Sequence, residues 1–271
     1  MVLSRSRIVR DQMRTLVLLL VAVLISGCQL NEEGRTPRTV SLEDFKEQLQ
    51  ARKIWLGGGI PKFEEVGRGT FATAIEQGLM PDHRVLDIGA GSLRIGWWLL
   101  QYIEPSNYYV IEPVKERVHN AVEILGAHDI HIYNNMDFEF PRARFDFVIA
   151  RSIWTHSSKG MIAKMLSEFA ENSSQQARFL ASVKLAESED QDYKGDVWVG
   201  RVENVGRAAV VRHSQEWLEQ EAENNGLMLQ VLGELTGQTW VVILRPEAVK
   251  KSWMRPNEEH RKNKQRVSGD T

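Results

Sequence analysis

The sequence is poor in cysteine, with Cys28 as its single cysteine in 271 residues. One cysteine excludes an intrachain disulfide and the paired cysteines of a structural zinc site. The sequence also lacks a Gly-x-Ser-x-Gly nucleophile motif and a phosphate-binding loop of the Gly-Lys-Ser type,. Its 34 basic and 36 acidic residues leave a net charge of −2, so charge gives no case for nucleic-acid binding,.

The length and patterning of the chain predict one sizeable α/β domain with extensions at both ends,. Apolar strand-like runs alternate with amphipathic helical stretches, which predicts a sheet covered by helices on both faces. Predicted strands are Val85–Ile88, Tyr108–Ile111, "DIHIYN", Phe145–Ala150, "ARFLASVKLA", "LMLQVLGEL" and "TWVVILRP". Predicted helices are "SLEDFKEQLQ", "PKFEEVGRGTFATAIEQGL", a helix starting at Ser92, "VKERVHNAVEILG", "MIAKMLSEFAENS" and "SQEWLEQEAENNGL".

A glycine turn follows the first predicted strand in "VLDIGAGS". Asp87 lies two residues before Gly89, and Gly91 follows after Ala90, where a ligand can approach the bare backbone. Ser92 is predicted to cap a helix that begins at once. Strand, glycine turn and helix are typical of the first unit of a nucleotide-binding fold, although a tight turn without a ligand is the alternative.

A second acid, Glu112, ends the next strand about 20 residues later, where a carboxylate can accept the hydrogen bonds of a ribose,. Two cofactor classes compete for this pattern. A dinucleotide needs a third glycine, but Arg94 occupies that position, and Asp87 would repel a pyrophosphate. S-adenosylmethionine carries a sulfonium, an ammonium and a ribose but no phosphate, so it suits an acid beside a bare glycine turn.

On these residues the sequence resembles the class I S-adenosylmethionine-dependent methyltransferases over roughly residues 63–246. "VLDIGAG" is similar to their first motif, Asp-x-Gly-x-Gly, and Glu112 to their ribose-binding acid. The resemblance implies a Rossmann-like, seven-stranded, mostly parallel sheet with an antiparallel last strand. It also implies that Asp137 or its neighbour Met136 holds the adenine and that Arg68 pairs with the methionine carboxylate. The cofactor-binding set is Asp87, Gly89, Ala90, Gly91, Glu112, Asp137, Met136, Arg68 and Arg151.

The carboxyl end of the fourth strand, "RSIWTH", is where a methyl acceptor is expected, because ligands bind beyond the carboxyl ends of strands in open α/β sheets,. His156 is the candidate general base, which is needed only for a hydroxyl or protonated amine acceptor. The alternative is that Thr155 and His156 only begin the next helix. His213 is a weaker candidate for the base.

The polar segment 186–212 is predicted to form a lid or a small hairpin over the acceptor site,. Its acids, Glu187, Glu189, Asp190 and Asp192, fit a solvated loop better than a metal site, and we predict no bound metal. Residues 41–80 are predicted to form a helical cap on a methyltransferase domain at 41–247, and residues 248–271 a disordered polar tail.

The N-terminus points to the membrane rather than to the cytoplasm where S-adenosylmethionine is made. Residues 1–28 contain several arginines, the apolar run Leu16–Ile25 and the stretch "LISGC". This combination resembles a bacterial lipoprotein signal that is lipidated at Cys28. Residues 29–40 are predicted to form a linker. The sequence leaves two alternatives for the side of the membrane that the domain faces, outside or cytoplasmic. If the gene start is misassigned, the protein is cytoplasmic.

We therefore predict a methyltransferase that transfers a methyl group from S-adenosylmethionine to a small-molecule acceptor, attached to the membrane through its N-terminus. One rival is an exported, non-enzymatic binding lipoprotein that reuses the fold. The other is a nicotinamide-dependent oxidoreductase, against which Arg94 and Asp87 both argue.

Overall fold

The computed structural model describes residues 40–54, 56, 60–200 and 209–248. The signal at 1–28, linker residues 29–39, tail residues 249–271 and residues 201–208 of the predicted lid lie outside this part. Within it, no helix is both long enough and apolar enough to cross a membrane. The described residues divide into two compact units: those up to 83 together with 90–134 form the first, and residues 84–89 together with the described residues from 135 onward form the second.

The strands are β1 (Val85–Ile88), β2 (Tyr108–Ile111), β3 (His131–Tyr133), β4 (Phe145–Ala150), β5 (Ser173–Val183), β6 (Met228–Leu235) and β7 (Gln238–Leu244). They form one seven-stranded sheet in the order β3-β2-β1-β4-β5-β7-β6. Strand β1 pairs parallel with β4, β4 with β5, and β2 with β3. Strand β7 runs antiparallel to both β5 and β6. The predicted Rossmann-like, mostly parallel sheet with an antiparallel last strand is confirmed.

The helices are α1 (Leu42–Ala51), α2 (Ile60–Glu76), α3 (Gly96–Leu99), α4 (Lys115–Leu125), α5 (Lys159–Asn172) and α6 (Gln215–Asn224). Serine side chains cap three of them, since Ser41, Ser158 and Ser214 each accept a hydrogen bond from a backbone N–H in the first turn,. Helix α4 ends at Gly126, whose φ of 61° is the left-handed conformation that glycine adopts at little cost,.

Two elements begin four residues away from their predicted starts. The helix predicted to start at Ser92 is confined to Gly96–Leu99, because Leu93 at φ 55° interrupts a regular helical path,. Ser92 is therefore not a helix cap but a buried turn residue, 4% exposed. Strand β5 begins at Ser173, four residues before the predicted start at Ala177, directly after α5 ends at Asn172.

Each unit has its own apolar interior. In the first unit, Phe45 of α1 packs edge-on against Phe63 of α2 with ring centroids 6.0 Å apart. In the second unit, Phe179 of β5 lies 5.5 Å from Phe169 of α5 and 5.6 Å from Trp154, and all three are fully buried.

Gly67 brings α2 into close contact with the segment around α3. A Cβ atom at this position would lie 2.6 Å from the Arg94 carbonyl oxygen and 2.9 Å from the Trp98 indole nitrogen. We expect Gly67→Ala to lower the free energy of unfolding by about 1–3 kcal/mol, because backbone must move to admit the methyl group. Urea unfolding of the purified protein measures the change.

Gly160→Ala is the matched control, because a Cβ there would meet only the Ser158 hydroxyl at 3.9 Å within helix α5. This variant is expected to be more stable by about 0.5–1 kcal/mol, the helix penalty of glycine. Equal effects of the two substitutions would contradict the close contact at Gly67.

Candidate functional site

The turn after β1 is tightly packed on its strand side. Asp87 is 1% exposed and Ala90 is 7% exposed. Gly89 adopts φ 73°, and a Cβ there would lie 2.2 Å from the Ile153 Cδ1 atom. The positive φ therefore favours glycine at this position, and a larger residue would also force the Ile153 side chain to move, a contact that the sequence motif does not reveal,.

Glu112, in the first unit, lies immediately after β2 and is 3% exposed. Its Oε2 accepts a hydrogen bond from the Gly91 backbone N–H at 2.9 Å, and its Oε1 accepts one from the Val114 N–H at 3.0 Å. Arg117 Nη1 lies 3.5 Å from Oε1. Burial raises the pKa of the Glu112 carboxyl above its ordinary value, and these three groups partly offset that rise,. The structure thus joins two predicted site residues, Gly91 and Glu112, through a hydrogen bond.

Two arginines of the first unit differ in their surroundings. Arg94, at the third glycine position of a dinucleotide motif, donates a hydrogen bond to the Leu56 carbonyl and lies over the Phe63 ring, 5.6 Å from its centroid. It has a packing role in this unit. Arg68 is exposed on the middle of helix α2.

The loop after β3 holds the predicted adenine-binding residues at its surface. Met136 is 43% exposed. Asp137 accepts hydrogen bonds from the Glu139 backbone N–H at 3.1 Å and from the Asn135 side chain at 2.5 Å. These two hydrogen bonds, the backbone one first, lower the pKa of the Asp137 carboxyl and fix its orientation within the loop,.

Arg151 and Ser152 follow β4 at its carboxyl end. The Arg151 Nε atom is buried without a hydrogen-bond partner in the described part of the chain. Burial alone lowers the pKa of its guanidinium to about 10. Ser152 has φ 58°, a left-handed conformation that is uncommon for a serine,.

A closed set of hydrogen bonds holds Ser152 in that conformation. Its backbone N–H donates to the Ser182 hydroxyl at 2.7 Å, and that hydroxyl donates to Gln238 Oε1 at 2.6 Å. Gln238 Nε2 donates back to the Ser152 hydroxyl oxygen at 2.6 Å. The sequence analysis missed this network; its signal was a serine inside the apolar run of β5, "FLASV".

His156 lies in a turn before α5, which begins at Lys159, so the alternative in which Thr155 and His156 begin that helix is wrong. Its Nδ1 lies 2.6 Å from the Ala209 carbonyl oxygen. A carbonyl can only accept, so Nδ1 carries the proton and Nε2 keeps its lone pair. Burial lowers the pKa of the imidazole, partly offset by this hydrogen bond.

The described ends of segment 186–212 pack on this turn. The Val199 N–H donates to the His156 carbonyl at 2.9 Å, and the Val211 N–H donates to the Thr155 carbonyl at 2.9 Å. The Trp198 ring centroid lies 5.6 Å from that of His156 and 6.1 Å from that of Phe138. The segment therefore brings the loop after β3 and the end of β4 together within the second unit.

The acids of this segment do not gather into a cluster. Asp192 accepts from Lys159 at 2.5 Å, Glu189 pairs with Lys194 at 3.0 Å, and Glu187 lies 3.9 Å from Arg212. Nowhere in the described ranges do three or more metal-ligating side chains converge on a point where an ion would fit.

His213 is fully buried, which gives it a structural role rather than that of a base. Its Nε2 lies 3.1 Å from both the Trp154 and the Ser157 carbonyl oxygens, so Nε2 carries the proton,. Its Nδ1 is buried without a hydrogen-bond partner in the described part of the chain.

The two histidines are therefore expected to be opposite tautomers, His156 protonated on Nδ1 and His213 on Nε2. Long-range proton–nitrogen NMR spectra at neutral pH distinguish the two nitrogens of each ring. Spectra of His156→Gln and His213→Gln assign the signals. An Nε2–H tautomer for His156 would leave no lone pair there and would remove it as a base.

His213 is expected to make stability fall in mild acid. Burial lowers its folded-state pKa below the ordinary 6.5. Its contribution is therefore fully present above about pH 6.5 and is lost as the pH falls from there through the folded-state pKa. We expect urea unfolding to show a smaller loss of stability between pH 7.5 and 5.5 for His213→Gln than for the unsubstituted protein.

The exposed His119 provides the matched control for that measurement. His119→Gln is expected to keep the pH dependence of the unsubstituted protein. Parallel stability curves for all three proteins would contradict the effect of burial at His213.

Comparison with known proteins identifies the fold through structure alone. No family model matches the sequence, and no curated protein is similar to it in sequence. Magnesium protoporphyrin IX methyltransferase from Synechocystis PCC 6803, with bound SAH, is similar in structure with a TM-score of 0.51 and 16% identity over 72% of this chain and 93% of that one.

Two further solved structures share the same arrangement. The DhpI–SAH complex has a TM-score of 0.52 and 12% identity over 75% of this chain and 95% of that one. The glycopeptide N-methyltransferase MtfA complexed with sinefungin has a TM-score of 0.50 and 12% identity over 68% of this chain and 94% of that one. At identities this low, the structural similarity shows a shared fold and no more: the chain has the Rossmann-like fold of these structures.

Proposed function

We propose that this protein is an S-adenosylmethionine-dependent methyltransferase acting on a small-molecule acceptor. The observation that carries the proposal is the buried Glu112 carboxylate, whose Oε2 accepts the Gly91 N–H of the glycine turn at 2.9 Å. The shared fold with the methyltransferases above supports it.

The residues present suit the chemical groups of this cofactor. Glu112 has two carboxylate oxygens, each with one backbone N–H partner, and so retains acceptor capacity for the ribose hydroxyls,. Asp87 favours a cationic ligand over a phosphate. We further propose Asp137 and Met136 for the adenine and the exposed Arg68 for the methionine carboxylate.

When bound, S-adenosylmethionine supplies a methyl group on a sulfonium for direct displacement by the acceptor. The protein must orient the acceptor and exclude water, and orientation is worth roughly 7–11 kcal/mol of such a barrier. His156 Nε2 is available to accept a proton from an acceptor hydroxyl or ammonium, because Nδ1 is engaged with the Ala209 carbonyl,. Burial keeps the pKa of the ring low, so it is neutral at pH 7.

The N-terminal sequence supports a second proposal, attachment to a membrane through a lipidated Cys28. It also favours the rival function, an exported binding lipoprotein without turnover. The two functions differ in one measurable property, the binding of S-adenosylmethionine by the folded protein. Fractionation of cells then tests the attachment.

We expect calorimetry of the purified protein to show binding of S-adenosylmethionine and of S-adenosylhomocysteine. Glu112→Ala is expected to weaken this binding by about 1–3 kcal/mol, the value of hydrogen bonds to a charged group. The exposed Glu116, four residues later on α4, is the matched control, and Glu116→Ala should bind like the unsubstituted protein.

Circular dichroism establishes that each variant is folded. If the folded, unsubstituted protein binds neither ligand, the methyltransferase proposal is wrong and the exported binding protein is favoured. If it binds both but Glu112→Ala binds equally well, Glu112 is not part of the site.

A further inference from the structure

We infer that the carboxyl end of β4 binds a carboxylate group of the methyl acceptor, with the Arg151 guanidinium as its charge partner and the Ser152 hydroxyl as a second donor. This inference rests on the proposed function, because it assigns the carboxylate to the acceptor, and it replaces the expectation from the sequence that Arg151 contacts the cofactor. Its chemistry is independent of the cofactor, so binding of a carboxylate is measurable alone.

The first observation is a partly buried cation without a counter-ion among the described residues. The Arg151 Nε atom is shielded from solvent and has no hydrogen-bond partner among the described residues. Among these residues no acidic side chain forms an ion pair with Arg151, whereas Arg117, Arg52 and Arg212 each face a carboxylate. Burying an unpaired charge is costly, and proteins ordinarily compensate it with an anion.

The second observation concerns the hydroxyl proton of Ser152, which is available to donate a hydrogen bond. Its oxygen accepts from Gln238, and its backbone N–H is bonded to Ser182. The Ser182 hydroxyl in turn donates to Gln238, which leaves the Ser152 hydroxyl proton and one Gln238 N–H without a partner among the described residues. The network therefore holds Ser152 at φ 58° with a proton available for an acceptor oxygen,.

The third observation is the position of the two residues. Arg151 and Ser152 are consecutive and follow the last residue of β4, Ala150. The carboxyl ends of strands in open α/β sheets are where ligands bind. A planar guanidinium pairs with a carboxylate through two parallel hydrogen bonds, which a neutral hydroxyl or amide cannot reproduce. An acceptor with a carboxylate thus satisfies both Arg151 and Ser152.

Benzoate and benzamide are suitable probes, because they have the same shape and differ in charge. We would titrate the full-length protein with each compound, without S-adenosylmethionine, and follow ligand NMR signals. The expected result is at least about tenfold tighter binding of benzoate, the scale of a charge-assisted hydrogen bond. Equal binding of the two compounds by the unsubstituted protein would overturn the inference.

Arg151→Gln is expected to remove the preference for benzoate, and Arg151→Lys to keep part of it by retaining the charge. Arg212→Gln is the matched control, because that arginine already faces Glu187 and the Leu185 carbonyl. This variant should keep the preference of the unsubstituted protein for benzoate over benzamide. If Arg151→Gln fails to fold, Arg151→Lys serves as the test in its place. A preference for benzoate in Arg151→Lys as large as in the unsubstituted protein would overturn the inference.

Ser152→Ala and Ser152→Gly separate the hydroxyl from the backbone conformation. Both lack the hydroxyl and are expected to bind benzoate several-fold more weakly, while glycine also relieves the cost of a positive φ. Unchanged benzoate binding in both variants would overturn the role of Ser152.

Calorimetry with S-adenosylmethionine on the same variants distinguishes the two proposals. Loss of cofactor binding by Arg151→Gln with benzoate binding retained would place Arg151 at the cofactor and overturn the inference. A benzoate preference in a protein that does not bind S-adenosylmethionine would support the anion site while refuting the proposed methyltransferase.

Discussion

The hydrogen bond between the Glu112 carboxylate and the Gly91 N–H is the interaction on which the glycine turn of the first unit depends. It ties the end of β2 to the turn that follows β1 in the sequence, 21 residues apart. Burial raises the free energy of the charged carboxylate, and its raised pKa records that cost. The two backbone N–H groups and Arg117 offset part of that cost, and through the hydrogen bond to Gly91 the acid also stabilises the turn,.

A different device organises the second unit. The end of β4 carries Ser152 in a left-handed conformation, and side chains from β5 and β7 hold it there. The described ends of segment 186–212 then cover the turn through backbone hydrogen bonds to Thr155 and His156. One polar network and one covering segment thus fix the orientation of the groups that we assign to the acceptor.

Much of the fold was predictable because its signals are local. Strands β2 and β4 have their predicted bounds, and Gly126 ends α4 as predicted, since periodicity and glycine conformation act within a few residues,. The length of the helix after the glycine turn was not predictable, because the fully buried Leu93 has a left-handed conformation that leucine does not itself favour,. Strand β5 likewise starts early, since pairing of Ser173 with Phe145 decides its first residue.

For the site, the sequence by itself determined the types of residue: an acid and two glycines after β1, an acid after β2, and Arg151 and His156 after β4. Only the tertiary structure decided the conformation, protonation, burial and pairing of these residues. It showed that Gly89 has a positive φ and lies against Ile153, that His156 keeps its lone pair on Nε2, and that Arg151 Nε is buried without a partner in the described chain. The protonation, burial and pairing of these side chains depend on groups that are distant in sequence. Only the packing of the folded chain sets the spatial distances between them.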